Sequence, residues 1–151
     1  MTDRESAEAA GITDQLASLA DMAISRSFVN ICSDQLPTTR DFYVDLFGFQ
    51  VDYDSDWFVQ LTDKGSEATI GIMARDHELV PEPFRGQATG SYITIVVDDV
   101  EPVFARAKSL GVPIVEEPRD LFYGQRRMLV TDPNGALIDV SSPTAPPPTG
   151  L

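Results

Sequence analysis

Ser27-Phe-Val-Asn-Ile-Cys-Ser-Asp34 returns in altered form as Tyr92-Ile-Thr-Ile-Val-Val-Asp-Asp99, 65 residues later if Asp34 is set on Asp99. Both runs carry β-branched residues, Val29 and Ile31 in the first and five in the second, and are short enough to be strands. Pro37 and Pro102 follow at the same distance, and each run then feeds a helical segment, Thr38 to Phe47 and Val103 to Leu110. Gly48 and Gly111 close these helices at the position where a left-handed cap is favoured and glycine carries no Cβ penalty. A strand follows each glycine, Phe49 to Tyr53 and Val112 to Glu116. Each half then ends in a hairpin, Trp57 to Asp63 with Ala68 to Met73, and Arg127 to Asp132 with Ala136 to Val140. In the second hairpin Pro133 sets φ at the first corner and Asn134 or Gly135 tolerates positive φ, so Asp132-Pro-Asn-Gly135 reads as a turn.

The chain therefore reads strand, helix, strand, strand, strand, twice over. This predicts an α+β architecture of two βαβββ modules, about residues 25–75 and 91–142, joined by a linker over 76–90. One such module leaves a sheet face uncovered, so two are expected to pair into a curved mixed sheet around a cavity. Outside this body, Ile12, Leu16, Leu19 and Ala23 recur at helical spacing and predict a short amphipathic helix in a 1–24 extension, with Thr13 or Asp14 as its N-cap. Residues 143–151, with Pro143, Pro146, Pro147 and Pro148, read as an unstructured tail.

Composition narrows the function. The 151 residues are 42% hydrophobic and 23% charged, an ordinary globular balance. The net charge of −13 repels phosphate backbones and anionic headgroups, which excludes nucleic acid and membrane surfaces as expected partners. The apolar run Tyr92 to Val97 is far short of the roughly 20 residues of a membrane helix. Asp3, Glu5 and Glu8 stand where a signal peptide would be positive, and a single cysteine, Cys32, forms no internal disulfide, so a cytoplasmic protein is expected. The expected partner is a small organic molecule.

Strand alternation sorts the candidate contacts. Trp57 shares a face with Val59 and Leu61, and Phe58 with Gln60, whose polarity assigns that second face to the cavity; Trp57 itself fits core or contact equally. By the same rule Ser27, Val29 and Ile31, and Tyr92, Thr94 and Val96, face inward. Phe28, Asn30 and Cys32 then face the helix, where Cys32 is an inert buried thiol and Asn30 is out of place. Phe84, Phe122 and Tyr123 complete an aromatic set suited to stacking on a planar ligand. His77, in Asp76-His-Glu78 of the linker, reads as a surface-loop residue more readily than as a metal ligand. With no second histidine and no Gly-x-Ser-x-Gly elbow, nucleophilic hydrolysis is not expected.

The motifs Cys-Ser-Asp34, Arg40-Asp-Phe-Tyr43, Leu46-Phe-Gly48-Phe, Val97-Asp-Asp99-Val, Gly124-Gln-Arg-Arg127 and Asp132-Pro-Asn-Gly135-Ala-Leu-Ile-Asp139, in this order, resemble the vicinal oxygen chelate superfamily. That superfamily includes glyoxalases, extradiol dioxygenases and bleomycin-type resistance proteins, and the resemblance covers most of residues 25–142. Its metal enzymes hold a divalent ion with His, Gln or Glu side chains. Carried over one by one, the ligand positions fall on Ser27, near Gly71, on Tyr92 and on Asp139. One carboxylate and no imidazole do not make a transition-metal site. The resemblance thus implies the metal-free branch, homodimers that sequester a small molecule, here an aromatic or polycyclic antibiotic-like ligand with no cofactor.

Asp139 admits two readings, a general base with Tyr92 as hydrogen-bond donor or an ion pair with Arg126 or Arg127 across the final hairpin. The expected binding set is Ser27, Trp57, Phe58, Gln60, Phe84, Tyr92, Thr94, Phe122, Tyr123, Arg127 and Asp139. The competing expectation is an enzyme. One form is a metal-free lyase or isomerase using Asp139, and the other a lyase or dioxygenase with shifted metal ligands such as Gln60 or His77.

Overall fold

The structure, a computed structural model, describes residues 23–144. The predicted helix over Ile12 to Leu19 lies outside the described residues, as do residues 145–151 of the predicted tail; Pro143, read as the first residue of that tail, instead ends the last strand. The first module runs β1 (Val29–Ser33), α1 (Leu36–Phe47), β2 (Gln50–Asp54), β3 (Phe58–Thr62) and β4 (Thr69–Ala74). The second runs β5 (Ile93–Val96), α2 (Val100–Ser109), β6 (Ile114–Asp120), β7 (Gln125–Thr131) and β8 (Leu137–Pro143). Each forms a four-stranded mixed sheet, in the orders β1-β4-β3-β2 and β5-β8-β7-β6. In each the first strand lies parallel to the last, as a strand–helix crossover requires, and the remaining pairs are antiparallel.

Local chemistry sets the helix ends. The Gln35 N–H donates to Ser33 Oγ (2.9 Å) at the start of α1, and Pro37 occupies the first turn. Gly48 ends the helix at φ +78° with its N–H on the Val44 carbonyl. A Cβ at Gly48 would meet nothing within 4 Å, so Gly48→Ala is expected to cost only the left-handed backbone penalty, about 1–2 kcal/mol. Chemical denaturation measures this, and a neutral substitution would contradict the cap. At α2, Asp99 caps the Glu101 N–H (3.0 Å) and Ser142 Oγ accepts from Val100 N–H (3.0 Å).

A single buried cluster runs through both modules. Leu36, Tyr43, Leu46, Val59, Leu61 and Ile72 join Val100, Val103, Met128, Val130, Ile138 and Val140. Four hydrogen bonds fasten the halves: Tyr43 Oη to Asp132 (2.9 Å), Arg106 to the Leu46 carbonyl (2.8 Å), Asn134 to Thr39 (2.9 Å) and the Gln35 amide to the Pro133 carbonyl (3.5 Å). Burial, and then the Asp132 charge, hold the Tyr43 hydroxyl well above its ordinary pKa.

The repeat is real, and its phase corrects the sequence reading. β1 starts at Val29 and β5 at Ile93, while α1 starts at Leu36 and α2 at Val100, an offset of 64 in both cases. Aligning Asp34 with Asp99 matched residues that do different work, an ion pair with Arg75 (3.2 Å) and a helix cap. A one-residue slip exchanges the faces of a strand. So Ile31, expected inward, is buried in the core with Ser33. Asn30 and the half-buried Cys32 occupy the face away from α1, and Asn30 is no longer out of place. The second module keeps the expected phase, with Tyr92, Thr94 and Val96 exposed and Ile93 and Ile95 packed on the core.

Candidate functional site

Each sheet has one face against the core and one open. On the open face of the first sheet, β3 alternates as expected, with Val59 and Leu61 in the core and Phe58 and Gln60 opposite. Trp57, just before the strand, is absent from the core. Its ring lies 5.7 Å from Phe58 and stacks on His77 at 4.8 Å. His77 lies in the linker loop, where its ring braces Trp57 and its Nδ1 accepts from the Leu79 N–H (3.1 Å). A bulge in β2 between Val51 and Tyr53 brings Tyr53 opposite Gln60, with its ring 6.2 Å from Phe58. Four rings therefore run together.

Gly71 lies opposite both Asn30 and Gln60. A Cβ there would stand 2.0 Å from Asn30 Oδ1 and 3.1 Å from the Phe58 ring, so the glycine lets both side chains lie across it. Gln60 donates its amide to Asp52 (2.8 Å), which leaves its carbonyl oxygen as an acceptor.

On the second open face, Asp139 stands in register with Thr94 and Leu129 and is 6% exposed. Its carboxylate accepts from Ser141 Oγ (3.0 Å) and Thr94 Oγ1 (3.4 Å). Neither arginine of the ion-pair reading reaches it. Arg126 pairs with Glu101 (2.6 Å) and Asp120 (3.1 Å), and Arg127 with Glu116 (3.2 Å). Hydrogen bonds from Arg119 and then Arg127 hold the Glu116 carboxyl below its usual range. Tyr92 shares the Thr94 face but makes no hydrogen bond to Asp139 among the described residues.

The inner edge strands β1 and β5 bound a cleft of about 380 Å³, lined by Asn30, Cys32 and Tyr92 and by Phe84 and Gln87 of the linker. That volume is at the small end of ligand pockets. The expected residues thus fall into groups. Phe84 and Tyr92 share the cleft; Trp57, Phe58 and Gln60 share the first sheet; Thr94, Asp139 and Arg127 share the second. Phe122 is fully exposed at the β6–β7 tip, edge-on to Tyr123 (5.2 Å). Ser27 lies in a separate groove with Thr62 and Thr69. Asn30, Asp52, Tyr53 and His77 belong to these faces and were absent from the expected set. Only Asn30, a polar residue in an apolar strand, carried a signal of it.

The donor set does not fit a divalent metal. The carried-over positions Ser27, Gly71, Tyr92 and Asp139 supply one carboxylate, whose neighbours are hydroxyls. No three His, Cys, Asp or Glu side chains converge among the described residues.

Among curated proteins none matches this chain. Solved structures do. A glyoxalase/bleomycin resistance protein/dioxygenase family enzyme from Burkholderia phytofirmans PsJN is 24% identical over 77% of this chain and 96% of its own, with a TM-score of 0.66. TnmS3, an antibiotic binding protein from Streptomyces sp. CB03234, is 25% identical over 81% and 98%, with a TM-score of 0.63. TioX from Micromonospora sp. ML1 is 22% identical over 79% and 98%, with a TM-score of 0.60. The family model matches residues 26–140, which span both modules and every strand of the two open faces but the end of β8. With its doubled βαβββ fold, the chain belongs to the Glyoxalase/Bleomycin resistance protein/Dioxygenase superfamily.

Proposed function

We propose that this protein binds a small planar aromatic molecule of antibiotic-like character and sequesters it, acting as a cytoplasmic homodimer. The observation that carries the reading is the run of Tyr53, Phe58, Trp57 and His77 on an open sheet face, with ring separations of 4.8 to 6.2 Å. Rings so spaced accept a further flat ring by stacking. The likeness to TnmS3, an antibiotic binding protein, supports it. A second copy would cover exposed apolar side chains outside the ring run, such as Val96 and Val115. No helix among the described residues is long and apolar enough to cross a membrane.

Quenching of Trp57 fluorescence by a panel of acridines and anthraquinones tests the reading. Micromolar or tighter binding is expected, weakened about 3- to 10-fold in Phe58→Ala by loss of one ring contact. Absence of binding across the panel would overturn it. Sedimentation of the same sample should show a dimer; a monomer at every concentration would remove that part.

The buried Asp139 carboxylate favours one second reading, a metal-free lyase or isomerase in which Asp139 takes a proton from the bound molecule. Conversion of the ligand on incubation, lost in Asp139→Asn, would decide for it.

A further inference from the structure

We propose that the molecule held on these faces is an organic cation, and that its protonated amine docks on Asp139. The inference rests on the ligand-binding reading above and names the charge of that ligand. Asp139 sits on β8, between β5 and β7, and is 6% exposed. A carboxylate so far from water is costly unless a cation or enough hydrogen bonds replace its hydration. Ser141 and Thr94 supply one bond each (3.0 and 3.4 Å). A carboxylate offers about four acceptor sites, so roughly half remain unused.

The chain's own cations do not serve. Among the described residues, Arg127 on the adjacent strand is held by Glu116, Arg119 by the same carboxylate, and Arg126 by Glu101 and Asp120. The groups in register with Asp139, Thr94 and Leu129, carry no charge. The first sheet has the same bias. Asp52 takes the Gln60 amide N–H and leaves its oxygen, and the Asn30 oxygen lies over Gly71. Beside Arg127, whose guanidinium is held by Glu116 while its Nε has no partner among the described residues, the two faces present the oxygens of Asn30, Gln60 and Asp139 as acceptors. An ammonium group, which only donates, complements them, while one carboxylate among hydroxyls is a poor donor set for a transition metal.

Three acridines of near-equal shape test this at pH 8: 9-aminoacridine as the cation, acridine as the neutral probe and acridine-9-carboxylate as the anion. The cation is expected to bind at least tenfold tighter than acridine, with the anion weakest. Asp139→Asn is expected to weaken 9-aminoacridine about 10- to 100-fold, the usual range for losing a charged hydrogen-bond partner, and to leave acridine within about twofold. Should Asp139→Asn fail to fold by circular dichroism, the wild-type order of the three probes decides. Equal binding of all three, or an unchanged 9-aminoacridine affinity in a folded Asp139→Asn, would overturn the inference and leave the ligand-binding reading standing. Binding of none would overturn both. Displacement of 9-aminoacridine by Mn²⁺ from the wild type would assign Asp139 to a metal instead and also overturn it.

Discussion

Asp132→Ala is expected to destabilise the protein by about 3–5 kcal/mol in urea unfolding, because several buried donors lose their partner at once. Asp132 is 4% exposed and accepts from Tyr43 Oη (2.9 Å) and from the N–H groups of Asn134 (2.8 Å) and Ala136 (2.9 Å). It therefore holds the Asp132-Pro-Asn-Gly135 turn in shape and ties that turn to α1 of the other module. Tyr43→Phe removes only the bond between modules and should cost about 1–2 kcal/mol. A loss below about 1 kcal/mol for Asp132→Ala would show that the clamp is ornamental. The same pair sets an alkaline limit. The Tyr43 hydroxyl lies well above its ordinary value of 10.0 in the folded state, so below pH 10 both states keep the proton. As pH rises past 10 the unfolded chain ionises first and stability falls. The stability gap between wild type and Tyr43→Phe should therefore be constant below pH 10 and shrink above it; a gap that stays flat to pH 11 would contradict the assignment.

Leu46→Ala is expected to cost about 3–5 kcal/mol, the range for truncating a fully buried leucine where neighbours cannot close in. Leu46 is 0% exposed on α1, and its carbonyl accepts from Arg106 of α2. Because the buried cluster is continuous across both modules, the effect should not stay in one half. Trp57 fluorescence, which reports the first module, and far-ultraviolet circular dichroism, which reports the whole chain, should give one coincident transition in wild type and mutant. Two separated transitions would mean that the modules have independent cores.

The open faces follow a different logic from the core. Val59, Leu61, Met128, Val130, Ile138 and Val140 satisfy the hydrophobic demand of the fold. Phe58, Gln60, Thr94 and Asp139, one residue out of phase with them, are free to carry chemistry. Asp139 accordingly makes no ion pair with the arginines that the hairpin also carries, and the hydroxyls of Thr94 and Ser141 supply only part of its hydrogen bonding.

The order of elements, the doubled module, the glycine caps and the turn at Asp132 were determined by the sequence alone, because each depends on contacts within a few residues: periodicity, φ preference and local hydrogen bonds. The phase of β3 and β5 was equally legible, since Val59 with Leu61 and Ile93 with Ile95 mark the core side directly. Tertiary structure decided the rest. The face of β1 depended on a one-residue register that matching aspartates and prolines misplaced, and only pairing of Asn30 with Gly71 and Thr94 with Asp139 fixed it. Tyr53 reached Phe58 through a bulge, and His77 reached Trp57 from the linker, contacts between residues that no alternation rule relates. The partners of Asp139 depended on which carboxylates captured Arg126 and Arg127 first, a competition settled by distances across strands and helices rather than by spacing along the chain.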